Sequence, residues 1–207
     1  MTQSEKSSVC IIIGTAHGQN VAGKCSPDGT LKEYQWSRQA CQKIVKKLQA
    51  DGYRAIIDTE DINEIGLGNR VQIVNNYCGY FGSSKTLYIS LHNNAAPPVD
   101  NKWHHAQGWE AHVAKNASDN SKKLSSLLYK EAEAAGLKVR RPLKTQDYWA
   151  SNYTVLVKTK CPAVLTENLF QDNKEDVKYL LSKEGMQTLV DIHVKAIEQY
   201  VNDIIVK

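Results

Sequence analysis

A chain of 207 residues suits one domain with a full core, and 42% hydrophobic and 23% charged residues are ordinary for a globular protein. The formal net charge of +4 comes from Lys and Arg spread along the chain, which points away from nucleic acid but favours approach to an anionic polymer. No apolar run reaches the length of a membrane span, and the polar segment 1–8 is followed by nothing of signal-peptide length. The chain is therefore expected to be made in the cytoplasm without a leader, to have a flexible N-terminus over 1–8, and not to insert into a membrane.

The apolar, β-branched run from Val9 to Ile13 predicts a strand buried on both faces, ended by Gly14 and followed at once by His17. Residues 18–31 read as a loop with a turn at Pro27-Asp28-Gly29. A helix starts near Glu33, shows one apolar face through Cys41, Ile44, Val45 and Leu48, and stops at Gly52. Tyr53 to Asp58 is a second strand. Leu67, Val71, Val74, Cys78 and Phe81 mark a second amphipathic helix closed by Gly82.

Thr86 to Leu91 is a third strand running into His92-Asn93-Asn94. A loop from Ala95 to Gln107 holds Trp103-His104-His105, and Gly108 to Val113 is a fourth strand. Leu124, Leu127, Leu128 and Glu131 fall at helical spacing between Asn116 and Ala135, with Gly136 as the stop. Leu137 to Asn152 is mixed and basic, and Tyr153 to Val157 is a short strand or extended segment. Ala163 to Thr166 is a strand delivering Glu167, and helices follow over 173–181 and 184–205. This alternation predicts one α/β domain over 1–207. Its central sheet is mostly parallel or mixed, with helices on both faces and no separate wall-binding domain.

Five dispersed cysteines without a CxxC pair read as reduced thiols. Cys10 and Cys161 fit core packing, and Cys25, in the turn-rich loop, is the one placed to touch a metal or to oxidise. Open α/β sheets place their chemistry at the C-terminal edge of the strands. There this chain offers His17, Glu33, His92 and Glu167. Zinc in hydrolases takes three ligands from His and Asp/Glu and keeps one position for water, with a carboxylate nearby to handle the proton. Taken singly each residue has a plainer explanation. A histidine at a strand end can simply be hydrogen-bonded, Glu33 can complement a helix N-terminus, and Glu167 can be paired with an arginine.

The ordered set of His17-Gly18, Asp28-Gly29 to Glu33-Tyr34, Arg70 with Asn75, Ser90 to Ala95, Gly108-Trp109-Glu110, and Pro162 to Glu167 with Phe170 and Asn173 resembles the zinc-dependent N-acetylmuramoyl-L-alanine amidases. That family includes cell-wall amidases and bacteriophage endolysin catalytic domains, and the resemblance runs from about Val9 to Tyr200. It implies that His17, Glu33 and His92 ligate Zn2+ and that Glu167 is the catalytic acid/base. The substrate would be peptidoglycan, cut at the amide joining muramic acid to L-alanine. Two positions depart from the family pattern. Gly14-Thr15-Ala16 stands where an Asp is usual two residues before the Gly preceding the first histidine, so the carboxylate expected to orient His17 is missing there. Asn168 follows Glu167 in place of a small residue.

Asn94, Trp103, Arg140 and Arg141 are candidates for substrate contact: the arginines for stem-peptide carboxylates, Trp103, with Trp109 and Trp149, for stacking on sugar or peptide. Solvation or packing explains them equally well. His104 and His105 read as loop residues, and His112 and His193 as structural. A zinc peptidase acting on wall stem peptides would use the same His-Glu-His set. A non-catalytic wall-binding module would have no use for Glu167, and a dinucleotide-binding protein would show GxGxxG after the first strand. The absence of a leader and of a binding domain favours a lysin released through a permeabilised membrane. No feature of the sequence fixes an oligomeric state.

Overall fold

A computed structural model of the chain describes residues 2–98 and 100–205. Its centre is a six-stranded mixed sheet in the order β2-β1-β3-β6-β4-β5. The strands are β1 (Cys10–Thr15), β2 (Arg54–Ile57), β3 (Thr86–Asn94), β4 (Glu110–Ala114), β5 (Trp149–Ser151) and β6 (Ala163–Phe170). β1 pairs in parallel with β2 and β3, β3 with β6, and β4 with β5. Among the strand pairs of the described residues, only β4–β6 is antiparallel. Every residue of β1 is buried, as its unbroken apolar run requires of a central strand.

Alternate residues of the central strands serve two cores. Ile11, Ile13, Leu87 and Ile89 pack toward Ile44 and Leu48 of α2 (Glu33–Ala50), Leu124 and Leu128 of α4 (Asp119–Ala134), and Leu189 and Ile197 of α7 (Lys183–Tyr200). Cys10, Ile12, Tyr88 and Leu165 face the other side, against Val74 and Cys78 of α3 (Leu67–Phe81) and Val155 and Leu156 of α5 (Thr154–Val157). The short helix α6 (Lys174–Leu181) joins β6 to α7. Asn173, Ser182 and Ser118 cap α6, α7 and α4 by accepting from backbone N–H groups of the first turn. No helix among the described residues is long and apolar enough to cross a membrane.

The architecture is the expected one, and the differences are local. Gly14 does not end β1; the strand continues through Thr15, and a side chain at position 14 would collide with the ring of Tyr88. His92 and Glu167 lie inside their strands rather than at the ends, because β3 and β6 stay paired past them. Residues 154–157 form a helical turn instead of an extended segment. Asn75 of α3 donates to the carbonyl of Lys158 (3.0 Å) and accepts from the N–H of Lys160 (2.8 Å), so this segment docks on α3. The sheet position beside β4 is taken by β5, which the pattern over 137–152 had hidden.

The N-terminus holds a helix, α1 (Gln3–Ser7), where flexibility was expected. Thr2 and Glu5 form a capping box. Gln3 and Lys6 donate to the carbonyls of Gly52 and Asp51, and Arg54 donates to that of Ser7. Together these bonds tie α1 to the turn before β2.

Candidate metal centre

His17, Glu33 and His92 converge, with one potential ligand atom from each lying within 4.8 Å of the others. His17 comes from the loop after β1, Glu33 is the first residue of α2, and His92 sits on the neighbouring strand β3. Glu33 Oε1 lies 3.1 Å from His92 Nδ1 and 3.6 Å from His17 Nε2. The two imidazoles meet edge to face, with centroids 5.1 Å apart. Ser90 Oγ sits 3.1 Å from the far nitrogen of His92, and the N–H of Asn93 donates to Glu33 Oε1. The His92 ring and the Glu33 carboxylate are therefore each held by a further hydrogen bond.

Glu33 is buried, and its Oε2 has no hydrogen-bond partner. Burial works to raise this carboxyl, but the bond from His92 and the nearby imidazoles outweigh it and hold Glu33 below the usual range. Burial pushes the His17 imidazole down to about 4, so it is neutral at pH 7 and keeps a lone pair free. A buried carboxylate with one oxygen facing two imidazole nitrogens and the other unpartnered is a donor set for a divalent cation, and the His/His/carboxylate combination suits zinc.

Glu167 stands directly across the strand pair from His92 and, on its other side, from Glu110 of β4. Its Oε2 is buried without a partner. Burial first, then the charges of Glu33 and Glu110, raise its pKa well above the usual carboxylate range. Between His92 and Asn94 the β3–β6 register slips by one residue. In the resulting bulge Leu169 takes a left-handed φ of 64°.

Asn168, fully buried beside it, donates to the carbonyl of His92 and the hydroxyl of Thr166, and accepts from Trp109 Nε1. The residue that departs from the family pattern thus ties the strands under the site together.

The missing Asp before His17 is answered from elsewhere. Asp58, just past β2, accepts from the backbone N–H of Thr15 at 2.9 Å. Arg70, at the start of α3, bonds Asp58 at 2.9 Å, Glu64 at 3.0 Å and the carbonyl of Thr15 at 2.7 Å. Arg38 and Arg70 both donate to the carbonyl of His17, whose φ is 42°. A carboxylate–guanidinium network therefore holds the backbone of the His17 loop, in place of a carboxylate on its ring.

These side chains open onto a cavity of about 330 Å³. His17, His92 and Glu167 form one part of its wall; Leu67, Tyr153 and Val155 form an apolar part, and Lys24 adds a cation. None of the four residues expected to contact substrate lines it. Asn94 donates to Glu110 Oε1 at 2.7 Å, and its own oxygen accepts from Ala95 N–H. Arg140 donates to Glu110 Oε2 at 3.0 Å and lies over the Phe170 ring. Arg141 pairs with Asp147 and Glu133 over Tyr129, and Trp103 packs against the core beneath Lys174. Carboxylates thus bond both arginines and Asn94 in this structure.

Cys25 is half-buried, in a bridge with Lys32, and is not part of the His-Glu-His group. His104 pairs with Asp100, His112 with Ser151 and Glu110, and His193 is buried against Thr166. Tyr153 and Asn152, which do line the cavity, had no signal in the sequence beyond an aromatic in a polar stretch.

The fold is an α/β domain with a candidate metal site at the sheet edge, and the comparisons name its family. The model of the N-acetylmuramoyl-L-alanine amidase family matches residues 11–199, so the chain belongs to that family of hydrolases. The endolysin of Bacillus phage SPP1 is 31% identical over 122 residues, covering 56% of this chain and 40% of the endolysin. The chain thus matches less than half the length of that relative.

Among solved structures, the N-acetylmuramoyl-L-alanine amidase of Clostridium difficile 630 superposes with a TM-score of 0.81 at 22% identity, over 96% of this chain and 98% of that one. The catalytic domain of the amidase CwlV from Bacillus (Paenibacillus) polymyxa var. colistinus follows with a TM-score of 0.78 at 19% identity, over 94% and 98%. At these identities the structural likeness speaks for the fold, and the family match carries the assignment.

Proposed function

We propose that this chain hydrolyses the amide between N-acetylmuramic acid and L-alanine in peptidoglycan, with His17, Glu33 and His92 holding a zinc ion and Glu167 moving the proton. The observation that carries the proposal is a buried Glu33 whose Oε1 faces two histidines while its Oε2 has no partner, with Glu167, one of whose oxygens is also unpartnered, across the strand pair from His92. A zinc ion bound there supplies a Lewis acid toward an amide carbonyl and makes water a better acid near neutral pH.

The rest of the chemistry belongs to the side chains. His92 is presented with its ring held by Ser90 and Glu33, and His17 from a loop whose backbone Arg38 and Arg70 hold. Glu33 supplies the negative charge that offsets a dication. Glu167 sits where burial and two neighbouring carboxylates raise its proton affinity. A base tuned upward in this way takes a proton from the attacking water at its carboxylate and returns it to the leaving amine of L-alanine. The apolar side of the cavity, Leu67 and Val155, excludes water from the scissile bond and accepts methyl groups of lactate or alanine.

The proposed place of action is the cell wall, reached as a lysin through a permeabilised membrane; the phage endolysin relative supports this. A digest of purified peptidoglycan, with new amino termini and new reducing ends counted by mass spectrometry, tests the reaction. New L-alanine termini without new reducing sugars, lost on chelation and in Glu167→Gln, are the expected result. Termini elsewhere in the stem peptide would make the enzyme a peptidase. No cleavage of several wall types by metal-loaded protein would overturn the proposal.

A further inference from the structure

We propose that Cys78 and Cys161 form a reversible disulfide when the protein meets a two-electron oxidant such as hydrogen peroxide, stapling α3 to the start of β6. Both thiols are free and buried, and both belong to the core on the α3–α5 side of the sheet. Cys78 lies one turn after Asn75 on α3, on the face that Asn75 uses to grip residues 158 and 160. Cys161 follows immediately on that gripped segment, so the Asn75 bonds bring the start of β6 against the face of α3 that carries Cys78. Both thiols sit in one small buried cluster with Val74, Val155 and Leu156.

The environment makes the two thiols unequal. The bond from Cys161 lowers the Cys78 thiol to about 7 against the opposing effect of burial, with the Ser83 and Thr86 hydroxyls assisting. Burial and the Cys78 charge push Cys161 in the opposite direction. Cys161 also lines an opening of about 340 Å³ together with Ser83 and Lys160, large enough to admit peroxide.

The step balances as follows. The Cys78 thiolate attacks one peroxide oxygen and the O–O bond breaks. The departing hydroxide takes a proton and leaves as water. The Cys161 sulfur then attacks the Cys78 sulfenic sulfur, and its proton leaves with the hydroxyl as a second water. Two thiols are oxidised and one peroxide is reduced to two waters. Cys10 shares this core, and Cys25 and Cys41 lie outside it, so the prediction names one pairing out of ten that five cysteines allow.

The test is peptide mapping of wild-type protein, native and treated with a small excess of hydrogen peroxide, then alkylated without reduction. The expected result is a loss of two hydrogens in intact mass and a linked peptide pair containing Cys78 and Cys161, reversed by dithiothreitol. A Tm higher by roughly 5–10 °C in the oxidised form accompanies it. In Cys161→Ser, Cys78 has no partner and passes to sulfinic acid. Pairing of Cys78 with any other cysteine, linkage between molecules, or sulfinic acid at Cys78 in the wild type would each overturn the proposal. The mapping needs no variant and no activity, so its outcome is independent of the amidase assignment.

Discussion

Replacing Arg70 with Met removes the centre of the network beneath the His17 loop. Arg70 is 3% exposed and the Asp58 side chain is fully buried, so this ion pair cannot fall back on solvent. Burial opposes the Arg70 charge, yet Glu64 and Asp58 hold its proton more tightly than in water. Removing one partner of a buried pair leaves an uncompensated charge and costs about 3–5 kcal/mol. Asp58 keeps the Thr15 N–H and the Tyr88 hydroxyl at 3.2 Å, which places the loss toward the lower end. In a domain of this size the same energy lowers Tm by roughly 6–20 °C.

The measurement is urea unfolding of the metal-free protein followed by circular dichroism, comparing wild type, Arg70→Met, Asp58→Asn and the double variant. The midpoint should fall with little change in m-value. Neutralising Asp58 as well should recover about 1 kcal/mol or more relative to the sum of the single losses. The carbonyl of His17 also loses a donor, so zinc should bind about 10–100-fold more weakly. A loss below about 1 kcal/mol for Arg70→Met, additive with Asp58→Asn, would refute the claim that this pair supports the loop.

Three further outcomes follow from the site and the core. Glu167→Gln should lower turnover of muramoyl-L-alanine substrates by about 10²–10⁴-fold. The Tm of the metal-free variant should stay at or above wild type, because a buried acid with an unpartnered oxygen has been neutralised; differential scanning fluorimetry with a turnover assay checks both. Zinc added at about 100 times its Kd should stabilise the protein by about 2.7 kcal/mol, and a chelator should remove that gain in parallel with activity. His193 is fully buried and its pKa is lowered to about 4 by desolvation. Below pH ~6.5 the unfolded chain therefore binds a proton that the folded protein refuses. Stability falls as pH drops from about 6.5 to about 4, by up to roughly 3 kcal/mol, and His193→Gln should flatten that part of a Tm–pH curve.

What the sequence made legible was the part governed by periodicity and strand ends. The β-branched runs at 9–13, 86–91 and 163–166 could only be buried strands, and the helices over 33–50 and 67–81 followed from apolar spacing. His17, His92 and Glu167 stood out because each follows an apolar run of a central strand, and Glu33 because it opens the next helix. The four expected substrate contacts lie away from the cavity, and for the two arginines the reason is electrostatic. A sequence shows that Arg140 and Arg141 are cationic, but not that Glu110, Asp147 and Glu133 fold against them. Asp58 was hidden for the converse reason: its partner, Arg70, is twelve residues away on another element and joins it only once α3 packs on β1 and β2. Tyr153 turns toward the cavity because Asn75 pulls the next residues onto α3, a tertiary contact with no local signature.

Three glutamates lie around one layer of this sheet, and their surroundings give them three different chemistries. Glu110 is enclosed by Asn94, His112 and Arg140; burial would raise its pKa, but His112 and Arg140 keep it ionised and fully occupied. Glu33 has imidazoles on one oxygen and nothing on the other, so its charge is available to a cation. Glu167, between them, has no cationic partner and takes the repulsion of both neighbours. Glu110 is thus more than scaffolding. Its fixed negative charge raises the proton affinity of Glu167 from one side while Glu33 does so from the other, and Arg140 prevents Glu110 from taking the proton itself. The proposed division between ligand, base and fixed charge rests on who sits next to each carboxylate, not on the residue type.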